Sequence, residues 1–335
     1  MALLSLSLDE LRTRTSLKWR HYPADVLPMW VAEMDVAMHP AVRETLLGAI
    51  DRGDTGYPDG TAYAEAFAAM AAARWDWQLD VPAQVRRAGD VMNSVLAVLE
   101  ATTSPGDAVV INPPVYPPFQ MVVSGYRRTI TEAPLTAAGR LDLATLEAAF
   151  AGPDHPRAYL LCSPHNPTGA VHTAAELTAV MELAARYDVR VVVDEIHACL
   201  VDPGATFVPL LTVPGGERAI SVTSAGKAWN LAAVKAGLII AGADAGAVLG
   251  ALPPLAQQSS GHLGNLLHTA ALTHAQDWVD ELAGEIATNK QVLARELAAH
   301  LPEVGYTPAD GTYLAWADCS ALGLADPSRQ FLDVG

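Results

Sequence analysis

Apolar residues in the middle of the chain come in short unbroken runs, at 108–112, 158–163, 190–194, 219–223 and 237–241. Runs that do not alternate with polar residues suit strands covered on both faces, as in parallel sheets. Between them, 94–102, 117–123 and 174–187 carry apolar residues at helical spacing. This succession over residues 90–242 predicts an α/β layer fold, a mostly parallel sheet sandwiched by helices. On either side helices dominate. The pattern predicts a short amphipathic helix over 3–17, an extended apolar stretch over 26–36, a helix opened by Pro40 and running to Ile50, and another over 62–75. The Gly- and Asp-rich stretch 53–60 is a loop on composition. After the last central strand come helices over 243–258, 263–274 and 276–301, then a strand over 312–317. No repeat or low-complexity linker divides the chain. The expected organisation is a large domain over 39–255 and a smaller, discontinuous α+β domain made of 1–38 and 256–335.

Charge narrows the partners. A net charge of −16 argues against a nucleic-acid or anionic-membrane surface, though not against a small anion held by local amides and one or two cations. Three scattered cysteines, Cys162, Cys199 and Cys319, form neither a disulfide framework nor a C-x-x-C zinc motif, so no metal is expected. Cys162 and Cys199 fit best as small core residues. Residues 1–20 lack a continuous apolar run, and no stretch reaches membrane-spanning length. These features predict a soluble protein of a reducing, cytoplasmic setting.

Ligands of α/β sheets bind in loops after the carboxyl ends of strands. Read in order, those ends carry Tyr116, then Asn166, then Asp194 and His197, then Ser224 and Lys227. Lysine is scarce: there are only Lys18, Lys227, Lys235 and Lys290. Lys18 lies in a polar segment and Lys290 among helix formers, where solvated ammonium groups are expected. Lys227 differs, since the small residues Ser224 and Gly226 beside it allow close approach of a ligand. A desolvated lysine can act as an amine nucleophile and a base. An aromatic face, an amide donor, a carboxylate and an amine on one rim meet the needs of a pyridine aldehyde cofactor. Each residue also has a plainer use: core packing for Tyr116, an Asn-Pro turn for Asn166, an N-cap for Asp194, a satisfied structural ring for His197.

The strings Leu17-Lys18-Trp19, Val26 to Asp35, Gly56-Tyr57-Pro58, Pro114 to Phe119, Pro164 to Gly169, Asp194 to His197 and Lys227-Ala228-Trp229-Asn230 occur in that order over nearly the whole chain. Together they resemble the fold-type I pyridoxal 5′-phosphate (PLP) enzymes of the class I/II aminotransferase superfamily, and more narrowly the cystathionine β-lyase/C–S lyase subgroup. The resemblance implies the PLP-dependent transferase fold. It makes Lys227 the lysine bonded to the cofactor aldehyde and the proton-transfer base, with Asp194 at the pyridine nitrogen, Asn166 at the ring oxygen and Tyr116 stacked on the ring. His197 stands where many relatives carry a tyrosine. For the phosphate it implies the backbone at Asp90, Val91 and Met92, where a helix begins, with Ser224 and Lys235. It also implies a homodimer with shared sites, in which Tyr57 reaches the phosphate of the partner subunit; a turn tyrosine packed in its own subunit is the alternative. Ala32 resembles the residue whose backbone amide approaches the substrate carboxylate. The arginine that grips this carboxylate in the family falls some tens of residues after 311–316; Arg329 is too early for it, so a truncated C-terminal domain is expected.

The implied activity is β-elimination from cystathionine or another S-substituted cysteine, giving a thiol, pyruvate and ammonia, in amino-acid metabolism such as methionine biosynthesis. An aminotransferase using the same residues is the alternative, and a non-catalytic regulatory protein on this fold is a third reading. A Rossmann dehydrogenase is excluded, because no G-x-G-x-x-G follows an early strand.

Overall fold

The computed structural model describes residues 2–334. Seven strands, β1 (Val85–Ala88), β2 (Ala108–Ile111), β3 (Thr129–Glu132), β4 (Ala158–Cys162), β5 (Arg190–Asp194), β6 (Ile220–Thr223) and β7 (Gly237–Ala241), form one sheet in the order β1-β7-β6-β5-β4-β2-β3. β7 runs antiparallel to both its neighbours, and the other pairings are parallel. The absence of alternation is explained by the two faces. Ala158, Leu160 and Cys162 of β4 pack on one side with Val95, Val98 and Leu99 of the helix Val91–Thr102. Tyr159 and Leu161 pack on the other with Leu177, Val180 and Met181 of the helix Ala174–Arg186. Both sets are desolvated, at about 1.5–3 kcal/mol per large aliphatic side chain. A third core joins the segment at Met34 and Val36 to Tyr63, Phe67, Leu238, Leu267 and Val279.

Most predicted elements form, including the helices Pro40–Asp51, Ala62–Trp75, His262–His274 and Gln276–His300. Several expectations need correction. The N-terminal helix is two short ones, Leu8–Arg12, capped by the Ser7 side chain, and Leu17–Arg20, preceded by extended backbone at Ser16, whose hydroxyl binds Glu33 instead of the helix. Residues 243–258 break into Gly246–Ala251 and Pro254–Gln258, since Pro253 and Pro254 cannot continue a helix. Residues 312–317 form no strand: the neighbourhood makes only single bridges, Val201 to Gly311 and Gly305 to Asp318. β1, β3 and the helix Leu143–Ala151 are found beyond those expected. β3 lies at the sheet edge and is half-exposed, so it lacks an apolar run.

Two lysines are also not where their surroundings in sequence place them. Lys18 and Lys290 are both buried. Lys18 Nζ pairs with Asp35 Oδ2 at 2.7 Å and Lys290 Nζ with Asp202 Oδ1 at 2.6 Å. Their partners lie 17 and 88 residues away, beyond local pattern. Among the described residues no helix is long and apolar enough to cross a membrane.

Candidate active site

Strand order sets the order of side chains along the carboxyl rim. Crossing the sheet from β1 to β2, the rim presents Asp90 after β1, Lys235 before the reversed β7, Ser224 and Lys227 after β6, Asp194 ending β5, Asn166 after β4 and Tyr116 after β2. All of them, with Val91, Met92 and His197, line a single cavity. Of the candidates named from sequence, only Ala32 and Tyr57 fall outside it.

At one end the cavity is built for an anion. Val91 and Met92 start a helix, so their amides have no intrahelical acceptor and point outward with the positive end of the dipole. Asp90 caps this helix, its Oδ1 accepting from the Asn93 amide at 2.8 Å while Oδ2 faces Lys235 Nζ at 3.0 Å. Burial raises the Asp90 pKa, but the Asn93 amide and Lys235 outweigh it and keep the carboxyl below its ordinary value. Gly237 at the start of β7 allows this approach: a Cβ there would stand 3.0 Å from the Asp90 carbonyl carbon. Ser224 Oγ donates to Ala236 O and accepts from the Gly226 amide, tightening the loop that carries Lys227.

The other end gathers Asp194, Lys227, Asn166, Tyr116 and His197. Asp194 is fully enclosed, and burial pushes its pKa up to about 7 against the pull of the Ile196 amide and Lys227. That amide donates to Oδ1 at 3.0 Å. Burial lowers Lys227 from the ordinary lysine value, with Asp194 pulling the other way. Tyr116 and Asn166 are held together, the Tyr116 amide donating to Asn166 O at 3.1 Å. His197 is buried, with its pKa driven down to about 3 by burial and by Lys227, so the ring is neutral; its Nδ1 has no partner. A buried carboxylate short of a cation, a depressed amine and an aromatic wall around one hollow suit condensation of the amine with an aldehyde and stabilisation of a cationic heterocycle.

Ala32 places its carbonyl beside the site: the oxygen accepts from Lys227 Nζ at 2.9 Å and from Tyr313 Oη at 3.0 Å. Tyr57 is 97% exposed, so packing within its own subunit is ruled out. Sequence reasoning gave no role to Tyr63, His268 or Tyr313. Tyr63 Oη accepts from the Ala225 amide and bonds to His268 Nδ1, supporting the Lys227 loop from below. Tyr63 and His268 sit at apolar helical positions and read as core. Asn230 stood in a quoted motif; its Oδ1 accepts from the Met34 amide and its Nδ2 donates to Met34 O, binding the N-terminal segment to the loop. Cys162, expected as core, is buried in the core and also reaches the cavity wall.

The profile of the family "Aminotransferase class I and II" matches residues 27–332. A Mycobacterium leprae protein provisionally named a cystathionine beta-lyase is 47% identical, over 99% of this chain and 87% of its own length. The cystathionine beta-lyase of Corynebacterium glutamicum is 32% identical, over 98% of this chain and 88% of its own. A crystal structure from Corynebacterium diphtheriae, provisionally described as a PLP-dependent beta-cystathionase, superposes with a TM-score of 0.92 at 32% identity, covering 99% of this chain and 88% of that one.

Proposed function

This chain belongs to the class I and II aminotransferase family, and we propose that within it the protein is a PLP-dependent C–S β-lyase acting on cystathionine or related S-substituted cysteines. The residues fit that cofactor. Asp194 is enclosed with a pKa of about 7, a carboxylate that a protonated pyridine nitrogen would stabilise as the anion. Asn166 would donate to the ring oxygen, Tyr116 would cover a ring face, and the Val91 and Met92 amides with Ser224 and Lys235 would hold the phosphate. Bound PLP supplies an aldehyde that bonds to amines and a ring that accepts electrons from the substrate Cα.

Lys227 Nζ would hold the aldehyde carbon and, when free, take the Cα proton. Burial prepares it by disfavouring the ammonium form. A positioned base of this kind is worth roughly 10²- to 10⁴-fold in rate. The Ala32 carbonyl is placed to receive Nζ once it carries that proton. Loss of the thiolate from Cβ leads to pyruvate and ammonia.

The proposal extends to a homodimer with shared sites, supported by the exposure of Tyr57, a large aromatic left uncovered in its own subunit. It extends to a smaller domain made from both ends of the chain, supported by the Tyr313–Ala32 bond. Three free thiols suit a reducing cytoplasm. The carrying observation is the enclosure of Lys227, Asp194, Asn166 and Tyr116 in one cavity. Steady-state assay with cystathionine tests the reaction: pyruvate released without a keto-acid acceptor is expected, and turnover that requires such an acceptor replaces the lyase with an aminotransferase.

A further inference from the structure

Two stretches without strand ladders meet beside Lys227. Residues 32–36 are held from one side by the second N-terminal helix and the turn before it. Arg14 donates to Met34 O at 3.3 Å and Val36 O at 2.7 Å, and Lys18 Nζ donates to Glu33 O at 3.0 Å as well as to Asp35. Residues 309–313 make backbone bonds, the Gly311 amide to Gly169 O at 2.9 Å and the Thr312 amide to Leu200 O at 2.7 Å, and the long helix Gln276–His300 adds a side chain. Lys290 Nζ donates to Ala309 O at 2.8 Å and Gly311 O at 3.3 Å as well as to Asp202. The ends of the two stretches share one acceptor, the Ala32 carbonyl, which takes both Lys227 Nζ and Tyr313 Oη.

A buried ammonium is costly unless every donor finds an acceptor. Here two of the four lysines are enclosed, and each combines one carboxylate with backbone carbonyls of a stretch that has no ladder of its own. A methylene chain and a threefold donor suit this task, because the ammonium can bind carbonyls in different directions at once. Packing alone would not demand it, since an apolar side chain of similar volume fills such a space at less cost.

We propose that Lys18 and Lys290 are positioning residues: each fixes one of the two stretches, so that Ala32 O and Tyr313 Oη together determine where the free amine of Lys227 rests. This rests on reading Lys227 as the reactive amine. Lys18 acts on the Ala32 carbonyl through the backbone, by holding the oxygen of the next residue, Glu33. Lys290 acts only through Tyr313. That difference makes the proposal testable.

The experiment is acetylation of the full-length apoprotein with acetic anhydride, followed residue by residue by peptide mass spectrometry; with four lysines the pattern is simple. Loss of one hydrogen bond's worth of restraint predicts a roughly fivefold faster acetylation of Lys227 in Lys18→Met and in Lys290→Met. In the Tyr313→Phe background Lys18→Met still accelerates labelling, while Lys290→Met adds nothing. Unchanged labelling of Lys227 in both cooperatively folded single variants overturns the proposal. So does an undiminished Lys290→Met effect after Tyr313→Phe, which would mark general loosening. Should the methionine variants not fold, Lys18→Arg and Lys290→Arg keep the charge but cannot reproduce the donor directions; faster labelling supports the proposal and wild-type labelling overturns it. Absence of cystathionine turnover in the wild type, with this labelling pattern intact, would defeat the lyase reading alone.

Discussion

The carboxyl rim of the sheet and the two stretches that cross beside it, 32–36 and 309–313, hold their side chains by different means. On the rim the backbone does it: β4 and β5 pair in register up to Cys162 opposite Asp194, and β5 and β6 up to Asp194 opposite Val222. Lys227 and Asn166 follow those ladders within a few residues. In the crossing stretches side chains add to a few isolated backbone bonds: Lys18, Arg14 and Asn230 act at 32–36, and at 309–313 Lys290 acts beside the Gly311 amide on Gly169 O and the Thr312 amide on Leu200 O. Substitution on the rim should therefore alter chemistry and spare the fold, whereas substitution at the staples should alter both.

The sharpest test of that contrast is Lys227→Ala. Turnover should fall by at least roughly 10³-fold, since nucleophile and base disappear together. Thermal unfolding should stay within a few degrees of wild type, because the lost group is a partly desolvated ammonium whose acceptor keeps Tyr313. A stability loss of about 3–5 kcal/mol, as expected where Lys290→Met leaves Asp202 without its partner, would break the distinction between rim and staple.

Asp194→Asn comes next. Leaving a buried cation unpaired costs about 3–5 kcal/mol, so cofactor affinity should drop roughly 10²- to 10⁴-fold, measured by equilibrium titration of the apoprotein with PLP. The apoprotein should respond in the opposite sense. Its Asp194 pKa is raised from 3.8 to about 7, so the folded state holds a proton that the unfolded state has released. The resulting stability is fully present below about pH 4 and is lost as pH rises through 7. Asparagine removes that loss. Urea midpoints of the variant should fall less than those of wild type between pH 5 and pH 8, with a residual slope from Glu195, whose pKa burial also raises to about 7. Equal slopes would mean that Asp194 is already ionised in the folded apoprotein.

How much could be read beforehand follows the same division. Strand ends and the residues just beyond them were legible because apolar runs mark buried strands and loops at their carboxyl ends hold ligands. Tyr116, Asn166, Asp194 and Lys227 all reach the cavity for that reason. The burial of Lys18 and Lys290 was not legible, because nothing in a helical pattern says that an ammonium will meet an aspartate 88 residues away. The strand expected at 312–317 failed in a related way: its apolar and aromatic residues suit a ladder, but the chain makes only isolated bridges on either side, at Gly311 and Asp318, and turns Tyr313 toward Ala32. The Ala32 carbonyl escaped because a peptide unit offers donor and acceptor alike, and residue type does not say which faces inward.

Tyr57 lies on neither rim nor staple, and Tyr57→Phe sharpens the comparison by its independence. If its hydroxyl serves the partner subunit's phosphate site, removing one hydrogen bond to a charged group should weaken PLP binding by roughly 10- to 100-fold. Folding should be unaffected, since the side chain is 97% exposed in its own subunit. Sedimentation should give a dimer for wild type and variant alike. Unchanged cofactor affinity in a dimeric variant would remove Tyr57 from the site.

The smallest expected effect falls where the two regions join. Asn230 belongs to the Lys227 loop, yet both ends of its carboxamide bind Met34, at 3.0 and 2.9 Å. Its backbone lies in the left-handed region at φ 55°, which asparagine tolerates better than alanine. Asn230→Ala combines the loss of two bonds with that strain, while Asn230→Gly loses the bonds and relieves the strain. Both should lower turnover by roughly tenfold, the equivalent of about 1.4 kcal/mol in one positioning contact. Only alanine should carry a further stability cost, of about 1 kcal/mol, in urea unfolding. The carboxamide would then be a joint that matters for placement, and its backbone angle a separate demand on the fold. If glycine restores wild-type turnover, the strap at Met34 is placed by Arg14 and Lys18 alone, and the rim needs no tie to it.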